Sequence, residues 1–250
     1  MTSSQLRTNA REALNGKWGK AALLSLVYAL ITFVISFVLK FIPFVGSILQ
    51  FVISVPLSYG LLVTFIKLKR DEEVSYTDFV TTGFNSFSKV WAVFGNMVLK
   101  LIIPIVLVIL SIILMVYGGI GTGVGIAFSS ASATAGFSGL LIVGLILYFA
   151  SIIYLVVKGY YYSLAYYILY DNFDKTGKEI VEESEKLMNG NRWNFFWLGL
   201  TFIGWAILSA FTLYIGLLWL IPYIMVTFVC FYESLLETKD SEKIDPIEEK

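Results

Sequence analysis

The sequence predicts an all-α, polytopic helical membrane protein with six transmembrane helices and short cytoplasmic amphipathic helices. Of its 250 residues, 58% are hydrophobic and only 14% are charged, whereas an ordinary globular domain has about 25% charged residues. Six stretches approach the roughly 17–25 mostly apolar residues that a spanning helix needs. All but one of the 18 lysines and arginines fall on one side of these helices, which identifies that side as cytoplasmic.

The six predicted helices pair into three hairpins within a single integral membrane domain. The first hairpin, 21–66, has helices at 21–39 and 47–66 around a turn at 41–43. The second, 101–157, has helices at 101–117 and 138–157 joined by a Gly/Ser/Ala-rich loop at 118–137. The third, 193–236, has helices at 194–213 and 217–236.

The remaining segments are expected at the cytoplasmic face. They are an amphipathic segment at 1–20, a cytoplasmic or interfacial segment at 67–100, a segment with an amphipathic helix at 158–192 and a charged tail at 237–250. Both termini are then cytoplasmic, and Lys40 is the one basic residue outside. A third span that begins at Leu101 keeps Lys100 out of the hydrocarbon, where a charge is costly.

An amphipathic helix is predicted at 177–188 and is expected to lie on the membrane surface. Thr176 and Glu179 have the spacing of a capping box, and Asn189-Gly190 supplies a stop signal. One face of this helix is apolar and the other is charged. The apolar face consists of Ile180, Val181, Ser184, Leu187 and Met188.

The N-terminal segment has the same plan, with an apolar stripe at Leu6, Ala10, Ala13 and Leu14 and a stop at Asn15-Gly16. A third copy is suggested in the middle of the chain, where Ser75 and Asp78 resemble a cap. Its stripe would be Phe79, Phe84 and Phe87. The pattern indicates either three parallel repeats or a design common to surface helices that lead into a span.

Residue usage excludes several kinds of chemistry. The chain has no histidine and one cysteine, Cys230, so Ser-His and Cys-His catalysis and the usual zinc sites are ruled out. A formal net charge of zero gives no support for nucleic-acid binding. The glycine-rich stretch at 118–125 lacks the spacing of a phosphate-binding loop. We therefore predict a protein that is not an enzyme and that uses no cofactor or metal.

Two carboxylates are candidate functional residues. Glu233 lies near the inner end of the sixth helix. A carboxylate within the membrane is expected to have a function, whereas a carboxylate that reaches the interface needs none. Asp171 lies with Asp174 at the surface and is expected to help start the helix that follows.

Three further candidates lie in the third hairpin. Trp205 is near the middle of its helix, beside Gly204, which would allow a neighbouring helix to approach closely. Pro222, like Pro56 and Pro104, would either bend its helix or break it to form a binding site. Tyr223 follows Pro222 and is a candidate with it.

Several local patterns together resemble a known family. They are Ala10–Trp18, Pro56–Gly60, Tyr170–Asn172, Ser184–Gly190, Trp193, Phe196, Leu200–Trp205, Ile215–Tyr223 and Phe231–Glu233. In this combination the chain resembles the bacterial integral membrane proteins grouped as domain of unknown function 975. Phe173 and Tyr214 depart from the pattern, which has proline and glycine there. The resemblance implies a bacterial membrane protein and brings no activity, cofactor or catalytic residue.

The predicted function is a non-enzymatic role in envelope maintenance at the plasma membrane. The protein would act through membrane lipids or through a membrane protein partner at its cytoplasmic face, which carries the charged and capped elements. The alternative is a transporter or permease for an apolar or amphiphilic compound. A third hypothesis is a lipid-headgroup enzyme that holds a cation with Asp171, Asp174 or Glu233.

Overall fold

The computed structural model describes the backbone of residues 1–244 and the side chains of residues 1–239. Within that range the chain is helical and contains no strand. Six helical segments are long and apolar enough to cross a membrane, which confirms the predicted fold class. These segments are Trp18–Leu39, Val45–Lys69, Ile102–Ala127, Ala131–Asp171, Arg192–Phe211 and Leu217–Lys239.

The α-helices are numbered in chain order. They are α1 (Ser3–Ala13), α2 (Trp18–Leu39), α3 (Val45–Lys69), α4 (Asp78–Asn85), α5 (Phe87–Lys100), α6 (Ile102–Ala127), α7 (Ala131–Gly159), α8 (Ala165–Asp171), α9 (Gly177–Met188), α10 (Arg192–Leu200), α11 (Ile203–Phe211) and α12 (Leu217–Ile244). A 3-10 turn at Tyr160–Tyr162 separates α7 from α8. The predicted break between Lys100 and the third span is confirmed, since α5 ends at Lys100 and α6 begins at Ile102.

The chain forms two compact units: Met1–Phe94 together with the chain from Leu164 onward, and Gly95–Ser163. The second unit contains the α6–α7 hairpin. Its glycine-rich stretch is the C-terminal part of α6 rather than an outer loop, so the predicted loop at 118–137 was wrong. A Cβ added at Gly118 would lie 2.6 Å from the Leu141 amide nitrogen, and one at Gly125 would lie 2.7 Å from that of Thr134. Small residues let two helix backbones approach closely, which explains why this stretch is helical.

The first unit is built on close contact between α3 and α4. A Cβ added at Gly60 would overlap the carbonyl oxygen of Phe79, and one at Gly83 would overlap that of Pro56. The helix α3 continues through Pro56, and α12 continues through Pro222, so neither proline breaks its span. Pro104 lies in the first turn of α6, where proline is tolerated.

The amphipathic helices α1 and α9 pack their apolar stripes against protein, not lipid. The α9 bounds and the capping box are confirmed, but the expected position on the membrane surface was wrong for its apolar face. Ile180 and Met188 are fully buried, and Gly177 lies against the backbone of Ala92. The preceding helix α8 packs against α9, and α5 contacts α9 at Gly177.

The helix α1 shares the local plan of α9, and the middle segment does not. Gly16 and Gly190, which follow α1 and α9, have φ of 74° and 84°, which confirms both stop signals. The Ser75 amide donates to the Asp78 carboxylate at 2.8 Å, so this half of the predicted pair is present, but the N-cap of α4 is Thr77, which makes no side-chain cap bond. Phe79 is fully buried, whereas Phe84 is 44% exposed, so these residues do not form one apolar stripe.

The third hairpin differs from its prediction at two points. The fifth span is broken into α10 and α11, and the Thr201 hydroxyl donates a 2.7 Å hydrogen bond to the Leu198 carbonyl at the break. A hydrogen bond from a threonine hydroxyl to a carbonyl of the preceding turn bends a helix. The last helix, α12, continues to Ile244, so the first part of the predicted tail at 237–250 is helical. Residues 245–250 lie outside the described residues.

Candidate functional site

The first site is the Arg70 cluster, which we define as Lys69, Arg70, Asp171 and Glu233. Arg70 is the C-cap of α3, Asp171 is the last residue of α8 and Glu233 lies on α12. The Arg70 Nη1 and Nη2 atoms donate to Asp171 Oδ1 and Oδ2 at 2.6 Å and 3.0 Å. Its Nε donates to Glu233 Oε1 at 3.2 Å, and the Lys69 ammonium pairs with the same carboxylate. Two of the predicted candidates therefore share one guanidinium.

The electrostatics of the Arg70 cluster favour the protonated form of Arg70. The hydrogen bonds that Arg70 donates to Asp171 hold the pKa of Arg70 above its ordinary value, and Glu233 adds to this effect. The side chains of Arg70, Asp171 and Glu233 are only 28%, 22% and 19% exposed, so water screens them weakly. The Arg70 guanidinium also lies 5.5 Å from the ring centroid of Tyr170, a favourable cation–π geometry.

This arrangement makes the Arg70 cluster a structural clamp across α3, α8 and α12. Glu233 is held by two cations, so it is not a free intramembrane carboxylate. Among the described residues, no group of three or more potential ligands comes together as a metal site. Asp171 does not help to start α9, as the sequence suggested, because Thr176 is the N-cap of that helix. Asp174 is not part of the cluster.

The second site is the α1 cleft, a space of about 420 Å³ between α1, the start of α2 and the α11–α12 hairpin. Its volume lies within the range of about 300–1,000 Å³ typical of ligand sites. Its walls are mainly aromatic and apolar. They are formed by Arg11, Trp18, Trp205, Leu208, Ser209, Thr212, Gly216, Trp219, Leu220 and Tyr223.

The α1 cleft is held in place by Tyr223. Its hydroxyl donates to the Arg7 carbonyl of α1 at 3.4 Å. Its ring lies 6.1 Å from the ring of Trp18 and 5.3 Å from that of Phe202, centroid to centroid. One aromatic side chain of α12 thereby contacts α1, α2 and the break in the fifth span.

The cleft follows the spanning part of α12. Gly216 and Glu233 are 17 residues apart in the sequence, which is about 25 Å of helix, close to the hydrocarbon thickness of about 30 Å. From Gly216 to Tyr223 the cleft covers about 10 Å of that length. Arg11 of α1 therefore shares a cleft with Thr212, beside the connection between α11 and α12.

Of the three candidate residues in the third hairpin, two line the α1 cleft and one does not. Trp205 is 55% exposed and lines the α1 cleft with Tyr223. Pro222 is buried and positions Tyr223 without lining the cleft. No atom lies within 4 Å of a Cβ added at Gly204, so the close helix approach predicted there was wrong.

Sequence reasoning missed the contribution of α1 to this site. Arg11 adjoins Ala10 of the predicted apolar stripe in the N-terminal segment and was not among the candidate functional residues. Its position beside Ala10, on a helix whose Leu6 and Ala10 are buried, was the available signal. Local periodicity gives the faces of a helix, but it does not identify the hairpin against which they pack.

The connection between α11 and α12 explains one departure noted in the sequence. Tyr214 occupies a position where the pattern of the family that the chain resembles has glycine. The φ of Tyr214 is 65°. Leu213 also has a positive φ, of 50°. This left-handed region favours glycine, so the backbone keeps the glycine-like conformation although a tyrosine occupies the position.

Comparison with known proteins gives one match. The profile of a family described as "Protein of unknown function (DUF975)" matches residues 1–239. No curated protein matches the chain, and no solved structure does.

Proposed function

The chain belongs to the DUF975 family of proteins of unknown function, and from that premise we propose that it is a non-enzymatic membrane protein that holds an amphiphilic molecule in the α1 cleft. The single observation that carries this proposal is the cleft itself, with aromatic and apolar walls beside one arginine. Ligand sites typically combine mostly apolar walls with a few placed polar groups. A role in maintaining the bacterial envelope, at the plasma membrane with both termini in the cytoplasm, is part of this proposal.

The family assignment and the six apolar helices support lipid as the surrounding solvent. The cleft adds a site where one amphiphilic molecule would be bound in preference to the other molecules of the membrane. Trp205 and Trp219 are 55% and 47% exposed, so their rings offer broad apolar surface to an acyl chain. The buried stripes of α1 and α9 leave less apolar surface for a protein partner, although the charged face of α9 stays available for one.

The experiment is native mass spectrometry after gentle purification from native membranes and a delipidating detergent wash. The protein is expected to retain a stoichiometric amphiphile. Leu208→Trp fills the cleft and should abolish retention. Ile207→Trp is the matched control, because Ile207 and Leu208 are 56% and 57% exposed and only Leu208 lines the cleft. Equal retention by both variants would contradict the proposal, and so would a wild-type protein that emerges without any amphiphile.

A transporter or permease for an amphiphilic compound is the second candidate, and the same cleft favours it. Ion coupling through Glu233 is disfavoured, because Lys69 and Arg70 already neutralise this carboxylate. Transport of the retained amphiphile in proteoliposomes would support this candidate. An unchanged transport rate in Glu233→Ala would show that the carboxylate does not couple an ion.

A further inference from the structure

Arg11 brings a positive charge to the cleft wall, and no carboxylate in that wall offsets it. Lys17 pairs with Asp71 at 2.6 Å, and Lys69 and Arg70 pair with Glu233, but none of these three cations lines the cleft. The Arg11 guanidinium donates to the Thr8 hydroxyl at 3.3 Å and has no carboxylate partner among the described residues. Arginine stays protonated in proteins, so the positive charge in this cleft is permanent.

The hydroxyl groups that line the cleft are already engaged in local hydrogen bonds. The Ser209 hydroxyl donates to the Trp205 carbonyl at 2.9 Å. The Thr212 hydroxyl donates to the Ser209 carbonyl at 2.8 Å and accepts from the Gly216 amide at 3.0 Å. A ligand rich in hydroxyl groups would find few partners here. The cleft suits a molecule with one anionic group and an apolar body.

The cleft wall contains no acidic side chain, and this determines which headgroup charge it can bind. No aspartate or glutamate is among the residues that line it. Glu12, the neighbour of Arg11 in the sequence, faces a different depression, with Lys69 and Glu233. A zwitterionic headgroup would bring its own cation to a place that already holds one and offers no carboxylate. A headgroup with net negative charge would meet only the guanidinium.

We propose that the α1 cleft binds an anionic phospholipid, with the phosphate on Arg11 and an acyl chain along Trp205 and Leu208. This inference rests on the proposed function and names the class of amphiphile. Guanidinium and phosphate form two parallel charge-assisted hydrogen bonds. Trp18, Trp205 and Trp219 line the same cleft as Arg11, so apolar ring surface for the acyl chain lies in the same cleft as the guanidinium.

The test measures the lipid that the protein retains from mixed micelles with equal amounts of phosphatidylglycerol and phosphatidylcholine. The wild-type protein should retain phosphatidylglycerol over phosphatidylcholine by about tenfold or more, because the choline cation would repel the Arg11 guanidinium and no acidic side chain lines the cleft to offset it. Arg11→Gln should retain lipid in the cleft without this preference. Arg7→Gln is the control. Arg7 lies on the same helix, its guanidinium donates to the Ser3 carbonyl, and it does not line the cleft.

The outcomes separate this inference from the proposed function. Equal retention of both lipids by the wild type would overturn the headgroup assignment and leave an amphiphile site in place. A preference that survives in Arg11→Gln, or that Arg7→Gln removes to the same degree, would overturn it as well. If Arg11→Gln does not fold, Arg11→Met replaces it, and a preference that survives in a folded Arg11→Met variant would likewise overturn the headgroup assignment. A wild type that retains neither lipid would overturn both proposals.

Discussion

Arg70 and Asp171 form a two-point ion pair between residues 101 positions apart, with distances of 2.6 Å and 3.0 Å. The third donor of the same guanidinium, Nε, reaches Glu233. Arginine supplies donors in a fixed planar fork, which is why one residue can join the ends of α3 and α8 to α12. The clamp accounts for both carboxylates that the sequence marked as candidates for function.

Replacement of Arg70 by glutamine should destabilise the fold. Arg70→Gln is expected to lower the free energy of unfolding by about 2 kcal/mol, because hydrogen bonds to charged groups contribute about 1.5–3 kcal/mol. Thermal unfolding in detergent micelles measures the effect. The control is Lys178→Gln, whose exposed pair with Glu182 spans 3.9 Å and should contribute little. Equal midpoints for the two variants would refute the clamp.

Glu183 should make stability depend on pH. Burial raises the pKa of Glu183, but the pairs with Lys175 at 2.5 Å and Lys239 at 3.4 Å outweigh it and hold the pKa below its ordinary value. A depressed carboxyl pKa stabilises the fold above the ordinary glutamate pKa, and this contribution is lost as the pH falls through the folded-state pKa.

The midpoint difference between wild type and Glu183→Gln should therefore be present at neutral pH and should shrink at acidic pH, below about 4.3. Thermal unfolding over a pH series measures it. Glu182→Gln, on the same helix, is the control, because the exposed pair of Glu182 with Lys178 spans 3.9 Å and should contribute little to stability. A wild-type advantage over Glu183→Gln that stays constant across the series would rule out the ion pairs as its source.

Gly60 should tolerate no side chain. Gly60→Ala places a methyl group on the Phe79 carbonyl oxygen, so α4 must separate from α3 and expose Phe79, which is fully buried. The expected loss is about 1–3 kcal/mol, which is typical of overpacking. Gly204→Ala is the matched control, because nothing lies within 4 Å of its added Cβ. A stable Gly60→Ala protein would contradict the α3–α4 packing.

The α6–α7 hairpin offers the same comparison in the other unit. Gly118→Val should separate the two helices, since even a Cβ there meets the Leu141 backbone, whereas Gly123→Ala meets nothing within 4 Å. Disulfide cross-linking of cysteines placed at Gly121 and Phe137, in a Cys230→Ala background, reports the separation. Cross-linking should occur in the parent and in Gly123→Ala and should fail in Gly118→Val. Undiminished cross-linking in Gly118→Val would favour the loop that the sequence suggested.

Orientation is tested by labelling single cysteines in a Cys230→Ala background. Phe128→Cys lies at the α6–α7 connection and is 81% exposed in the parent, so it should react with an impermeant reagent in intact cells. Glu182→Cys, on the charged face of α9, should react only after the cells are opened. The reverse pattern would place both termini outside.

The helices of this protein could be predicted better than their contacts. Length and hydropathy located all six spans, and the capping residues Thr176 and Glu179 gave the start of α9 correctly, because caps act within one turn of the chain. The errors lie where a segment's partner decides its conformation. The glycine-rich end of α6 is helical where α7 packs closely against it, and the α9 stripe is buried in a helix that packs against α8.

The sequence alone determined that the chain is a helical membrane protein, because the solvent preference of each side chain is local and sums along a span. Only the tertiary structure brought Asp171 and Glu233 onto Arg70, and Arg11 into a cleft with Trp205. Each of these contacts joins residues more than 100 positions apart in the sequence. Periodicity gives the face on which a residue lies, whereas the packing of whole helices decides which residue of another helix it meets.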